Sequence, residues 1–97
     1  METIDHIKNV IKNNRVEIAK EYHIKKIGIF GSYLRGNQRP DSDIDVLVEF
    51  VRPIDLFRFL DLEERLSELL GRKVDLVSRK TLKPYIGKVI LGEVQYL

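Results

Sequence analysis

Asp43 and Asp45 stand two residues apart, with ten residues between the pair Gly31-Ser32 and Asp43, and a third acid, Asp75, lies between Val74 and Leu76. The stretch around the first two alternates with period two. Ile44, Val46, Val48 and Phe50 point one way, and Asp43, Asp45, Leu47 and Glu49 the other. Carboxylates at i and i+2 of a strand share a face with Cα atoms roughly 6.5 Å apart, which lets them flank a pair of metal ions. Mg²⁺ prefers hard oxygen ligands held rigidly. Two such ions about 3.5–4 Å apart stabilise the attacking and the leaving oxygen of a phosphoryl displacement together. The chemistry within reach of these residues is attack of a hydroxyl on the α-phosphate of a nucleotide, with pyrophosphate leaving.

Three carboxylates on one face conflict with one another. Two like charges 4 Å apart repel by about 4 kcal/mol at an effective dielectric near 20, so at least one acid is expected to titrate high without a cation. Gly31 permits a tight turn and a close approach of backbone to ligand. Ser32 opens a short helix whose free N–H groups favour phosphate oxygens, and its hydroxyl adds a donor. Arg35 and Arg39 flank the loop and could neutralise a triphosphate or departing pyrophosphate. Tyr33 and Arg35 are candidates to touch the nucleotide or a partner.

Taken singly, each piece has a plain reading. A D-x-D pair is commonly two solvated strand residues, Gly-Ser is an ordinary turn dipeptide, and Asp75 fits the wet side of an edge strand. The order strand, Gly-Ser, helical turn, D-x-D strand and a later strand with an acid on the matching face is what points to a phosphate-and-metal site.

The elements that must position these residues follow from periodicity. Ile4, Ile7, Val10, Ile11, Ile18 and Tyr22 fall on one helical face, with Thr3 as N-cap and Asp5 in the first turn. Lys25 to Phe30 reads as a buried strand, Tyr33 to Gly36 as one helical turn and Asn37 to Ser42 as a polar loop. Asp43 to Phe50 is the second strand. Leu56, Phe59, Leu60, Leu66 and Leu70 predict an amphipathic helix with Asp55 as N-cap and Gly71 past its end. Its acids Asp61, Glu63, Glu64 and Glu68 are expected as a solvated face. Lys73 to Val77 is the third strand. A last helix starts near Pro84, with Ile86, Val89, Ile90, Val94 and Leu97 as its apolar stripe, and Gly87 and Gly92 weaken it. The expected fold is α/β (α+β): a small mixed sheet flanked by helices in the order α-β-α-β-α-β-α.

Composition narrows the function classes. With 97 residues, 43% hydrophobic and 33% charged, the chain makes one small folded domain. A net charge of +2 gives no surface-wide grip on nucleic acid, so no direct nucleic-acid binding is expected. The absence of Cys removes disulfides, thiolate zinc sites and a cysteine nucleophile. His6 and His23 are isolated and expected on exposed helix surface. No apolar run reaches the roughly 18 residues needed to span a bilayer, and the polar, acidic start is unlike a signal peptide. A cytoplasmic protein without membrane attachment is the expectation.

The stretch GIFGSYLRGNQRPDSDIDVLVEF, from Gly28 to Phe50, closely resembles the minimal nucleotidyltransferase family of the DNA polymerase β-like superfamily. LLGRKVDLVSRKTLKPYI, from Leu69 to Ile86, is similar to the family's third-carboxylate segment. The resemblance spans residues 1–97 as a single minimal nucleotidyltransferase domain. It implies that Gly31, Ser32 and Arg35 hold the triphosphate of ATP, that Asp43, Asp45 and Asp75 are catalytic and bind Mg²⁺ as two ions, and that Asp75 lies near the attacking hydroxyl.

Small members of this kind resemble the antitoxin half of type VII-like toxin–antitoxin pairs, whose other half is a HEPN-domain RNase toxin. The implied reaction is transfer of AMP from ATP to a toxin tyrosine, with the two chains forming a hetero-oligomer. Larger relatives carry a further helical domain, for which this chain has no length, so the acceptor and part of the nucleotide pocket are expected from a partner. Two alternatives stay open: an antitoxin that acts by binding and occlusion alone, and a nucleotidyltransferase of a small-molecule acceptor, for which little surface is left.

Overall fold

The structure, a computed structural model, describes residues 3–97; Met1 and Glu2, part of the polar start, lie outside the described residues. Its elements are α1 (Ile4–Tyr22), β1 (Ile24–Phe30), α2 (Ser32–Arg35), β2 (Ile44–Phe50), α3 (Leu56–Leu70), β3 (Val74–Ser78), a 3-10 turn (Arg79–Thr81), α4 (Pro84–Glu93) and β4 (Gln95–Tyr96). The strands form one mixed sheet in the order β3-β2-β1-β4. β1 runs antiparallel to β2 and β4, and β2 runs parallel to β3. The parallel pair needs a crossover, which α3 supplies. Among the described residues no helix is long and apolar enough to cross a membrane.

Helix α1 starts where Thr3 accepts a hydrogen bond from the His6 N–H at 3.2 Å, and α3 where Asp55 accepts from the Arg58 N–H at 2.9 Å. Both caps satisfy backbone donors that the first helical turn leaves free. Ile7, Ile11, Ile18 and Tyr22 of α1 and Leu62, Leu66 and Leu70 of α3 pack with Ile27 and Ile29, Ile44, Val46 and Val48, and Val74 and Leu76 of the sheet in one buried cluster. The helices thus cover the face to which even-numbered β2 residues point. Asp45, on the opposite parity, is turned to the other face.

Several expectations are corrected. The buried edge of α3 runs through Leu62, whereas Leu56 is 67% and Leu60 47% exposed. A four-residue spacing from Leu62 to Leu66 to Leu70 keeps the stripe on the sheet, and Leu56 and Leu60 fall outside it. The acidic face of α3 is only partly solvated. Asp61 Oδ2 accepts from the buried Tyr22 hydroxyl at 2.6 Å. Glu63 Oε2 accepts from the Leu76 N–H at 2.9 Å, and Ser67 Oγ from the Val74 N–H at 3.0 Å. Those two N–H groups belong to edge strand β3, and α3 side chains close that edge. His23 is not a helix-surface residue but the cap of α1, in the left-handed region at φ 58°, with Arg52 Nη2 within 3.0 Å of its ring Nε2.

The last segment departs most. The helix ends at Glu93, Val94 turns extended, and Gln95–Tyr96 pair with Ile29 and Gly28 of β1. A Cβ at Gly28 would stand 2.8 Å from both the Gln95 carbonyl oxygen and Val94 Cγ2, so the bare glycine is what lets the chain dock there. Val94 and Leu97 therefore do not extend a helical stripe, and Ile86 and Val89 are 51% and 61% exposed.

Candidate active site

Strand β2 carries its acids into the middle of the sheet. In the register Asp45 stands opposite Phe30 on one side and opposite Asp75 on the other. Phe30 is the residue before Gly31, so the turn into α2 is delivered beside the acid. Gly31 has φ 82° and ψ −155°, a conformation open to glycine and strained for other residues. A Cβ built on it would lie 2.0 Å from Asp45 Oδ2. The carboxylate thus rests against the bare Cα of the turn. The turn is held from within by the Arg35 N–H donating to the Gly31 carbonyl and the Asn37 N–H to that of Ser32, both at 3.1 Å.

Asp43 falls one residue before β2, where the Ile44 N–H donates to the Lys73 carbonyl at 2.9 Å and starts the parallel pairing. Its Oδ2 is 3.9 Å from Lys73 Nζ across an exposed gap. The approach loop is pinned by Arg72, whose Nη2 donates to the carbonyls of Pro40 and Ser42. Asp75 is exposed on edge strand β3. Burial first, then the charge of Asp75, then that of Asp43, push the Asp45 carboxyl from 3.8 up to about 6, with Arg35 pulling it down. The conflict expected from three acids on one face is present, and it falls on the central one.

The sequence-predicted residues Gly31, Ser32, Asp43, Asp45 and Asp75 are thus brought to one end of β2. Their side chains are splayed: among the described residues no three carboxylate, His or Cys groups converge into a ready metal site. The donor set nevertheless suits a hard divalent cation, being carboxylate oxygens with a central acid that resists carrying its charge alone. Tyr33 is turned inward. It is 3% exposed, part of the core, with the Arg72 guanidinium 5.9 Å from its ring. The Arg39 N–H is bonded by Ser42 Oγ at 2.8 Å, which holds the loop, and its side chain is exposed.

Arg35 reaches instead to Glu93, a residue outside the sequence-predicted site. Its Nη1 donates to Glu93 Oε1 at 3.0 Å and Oε2 at 2.9 Å, and the Gly31 N–H donates to Glu93 Oε1 at 3.0 Å. The signal that could have found Glu93 is an acid at the end of a helix, where the dipole disfavours it. A groove of about 1020 Å³ lies elsewhere, between the far ends of β2 and β3 and α4, lined in part by Phe50, Phe59, Leu82 and Leu91. It holds none of the three aspartates, and the chemistry belongs to the acidic end.

The nucleotidyltransferase domain family matches residues 11–97. The chain belongs to that family. This nucleotidyltransferase is 41% identical over 97 residues to the protein adenylyltransferase MntA of Thermococcus cleftensis, covering 100% of this chain and 98% of the relative. A solved minimal nucleotidyltransferase fold superposes with a TM-score of 0.78 at 30% identity, over 94% of this chain and 95% of that one. The antitoxin fold in a complex of MNT antitoxin with tri-AMPylated Shewanella oneidensis HEPN toxin matches with a TM-score of 0.67, over 91% of this chain and 69% of that one. At 20% identity that last likeness speaks for the fold alone. The nucleotidyltransferase is an enzyme of nucleotidyl transfer.

Proposed function

We propose that this nucleotidyltransferase is the antitoxin of a type VII-like pair and transfers AMP from ATP to a tyrosine of a HEPN-domain toxin. The observation that carries the reading is the contact of the Asp45 carboxylate with the bare Cα of Gly31, with Asp75 across the register. It puts the Gly31-Ser32 turn and the acids side by side. The 41% identity to a named protein adenylyltransferase over the whole chain supports a protein acceptor.

In this reading Ser32 and Arg35 donate to the phosphate tail, and Gly31 makes the tight turn that presents them beside the Asp45 carboxylate. Asp43, Asp45 and Asp75 would hold Mg²⁺, which supplies charge stabilisation at the attacking and leaving oxygens. Asp75, exposed on the edge strand, faces the incoming tyrosine and accepts its proton as the phenolic oxygen bonds to the α-phosphorus. The bond from that phosphorus to the bridging oxygen breaks, and the electron pair leaves with pyrophosphate. The Asp45 carboxyl near 6 would give a transfer rate that rises with pH through that region before the ion saturates.

The test is incubation with toxin, α-labelled ATP and Mg²⁺, followed by mass spectrometry of the toxin. Label on a tyrosine is expected, and Asp43→Asn should abolish it. An unlabelled toxin that is still neutralised by Asp43→Asn and Asp45→Asn would replace transfer with occlusion. Label on an aminoglycoside-like acceptor, and none on toxin, would replace the protein acceptor with a small molecule.

A further inference from the structure

Glu93 stands where local rules disfavour a carboxylate twice. It is the last residue of α4, at the negative end of the helix dipole. It is also near enough to Asp45 to add to the negative charge there. Its bonds to the Gly31 N–H and to Arg35 Nη1 offset both costs. A residue kept against local preference by long-range partners is a place to look for function.

The geometry of the pair is asymmetric. The Glu93 side chain is 26% exposed and the Arg35 side chain 52%. Both Glu93 oxygens engage a single guanidinium nitrogen. Among the described residues, Arg35 Nε and Nη2 donate to no protein atom. Because the guanidinium is planar and rigid, holding one nitrogen restricts the directions of the other donors. Glu93 is itself well anchored. Just past it the Val94 N–H donates to the Ile90 carbonyl at 2.8 Å and the Leu97 N–H to that of Ile27 at 2.9 Å. The carboxylate therefore rides on a segment zipped to β1, the strand that leads into Gly31.

We propose that Glu93 is a positioning residue for nucleotidyl transfer: its carboxylate ties the Gly31 turn to Arg35 and aims the remaining guanidinium donors at the triphosphate. The inference rests on the reading of Gly31, Ser32 and Arg35 as the phosphate cradle. Pre-orienting a long side chain spares its rotamer freedom from being lost on binding, so the effect belongs in nucleotide affinity. The short β4, which sequence periodicity hides inside a helix, acquires a purpose: it fixes the residue that sets the cradle.

The test is steady-state AMP transfer in saturating Mg²⁺ by the wild type, Glu93→Ala, Glu93→Gln, Arg35→Ala and the double variant Glu93→Ala/Arg35→Ala. Glu93→Ala is expected to raise KM for ATP about tenfold with kcat changed less than about threefold. Glu93→Gln keeps an oxygen for the Gly31 N–H and should recover part of that loss. Since Glu93 acts through Arg35, the double variant should be no worse than Arg35→Ala. If Glu93→Ala melts below the assay temperature, Glu93→Gln and its double variant with Arg35→Ala carry the same comparison. A lower KM for ATP in either Glu93 variant would identify a competing anion and overturn the proposal, as would losses that add to those of Arg35→Ala. A wild type that neither binds ATP nor transfers AMP would instead overturn the cradle reading itself.

Discussion

The two faces of the sheet do opposite things with the same strands. On the helix-covered face Ile44, Val46 and Val48 are fully buried in one cluster with side chains of α1 and α3. On the other face the residues between them include Asp45, whose charge is opposed by burial, by Asp75 and by Asp43. Period two makes the separation automatic, since consecutive residues of a strand cannot share a face. One face therefore holds cohesion alone, while the other buries Leu47 and also holds, at Asp45, a conflict that a proton or a bound cation relieves. The separation predicts that substitutions on one face act on stability and those on the other act on turnover.

The largest expected effect is on the acidic face. Asp45→Asn should lower AMP transfer about a thousandfold, the scale of losing a group that acts in the transition state. Single-turnover assays with toxin bound measure it. A loss under tenfold, with Mg²⁺ saturating, would remove Asp45 from the reaction. On the covered face Leu66, 0% exposed, gives the reverse. Leu66→Ala should cost about 2–5 kcal/mol in urea unfolding, with kcat unchanged at a temperature where the variant is folded. If both kcat and stability fell together, the faces would be coupled more tightly than the register implies.

Gly31 joins the two faces and should give an intermediate result. An alanine there must adopt φ 82° and put its Cβ into the Asp45 carboxylate. The backbone strain alone is about 1–3 kcal/mol, and displacement of Asp45 should weaken ATP binding as well. Isothermal titration with a non-hydrolysable ATP analogue should show affinity lowered about tenfold or more. Unchanged affinity would mean that the turn does not face the nucleotide.

What the sequence made legible follows from how local each signal is. The caps at Thr3 and Asp55, the alternation from Ile44 to Phe50 and the Gly31 turn each depend on residues within a few positions, and they are where they were expected. Glu93 was not legible, because its partners Gly31 and Arg35 are 62 and 58 residues away and its helix position argues against it. Leu62 was missed for a different reason. Helix α3 carries enough leucines for two registers, and only the sheet beneath decides between them. Val94 to Leu97 fits a helical stripe and a strand equally, and the choice was made by an edge left open at Gly28. Adjacency to the turn points Tyr33 at a ligand, but the four-residue helix α2 turns it into the core.

The smallest predicted effect is the most direct measure of the conflict on the acidic face, and its sign is opposite to that of most substitutions at a site. Asp45 titrates at about 6 in the folded chain against 3.8 ordinarily, so the fold binds its proton more tightly than the unfolded chain does. The contribution favours folding below pH 3.8, where both forms are protonated alike, and is lost as pH rises through about 6. Asp45→Asn removes that loss. With the carboxyl partly exposed and screened, the discounted gain is about 1 kcal/mol. Thermal melts in EDTA at pH 8 should therefore find the variant more stable by about 4–8 °C, with the difference vanishing near pH 4. Saturating Mg²⁺ should reverse the order at pH 8, because a cation bound only by the folded wild type stabilises it alone. A variant that melts below wild type in EDTA at pH 8 would mean that the three aspartates are not in conflict, and the division between the two faces would lose its electrostatic half.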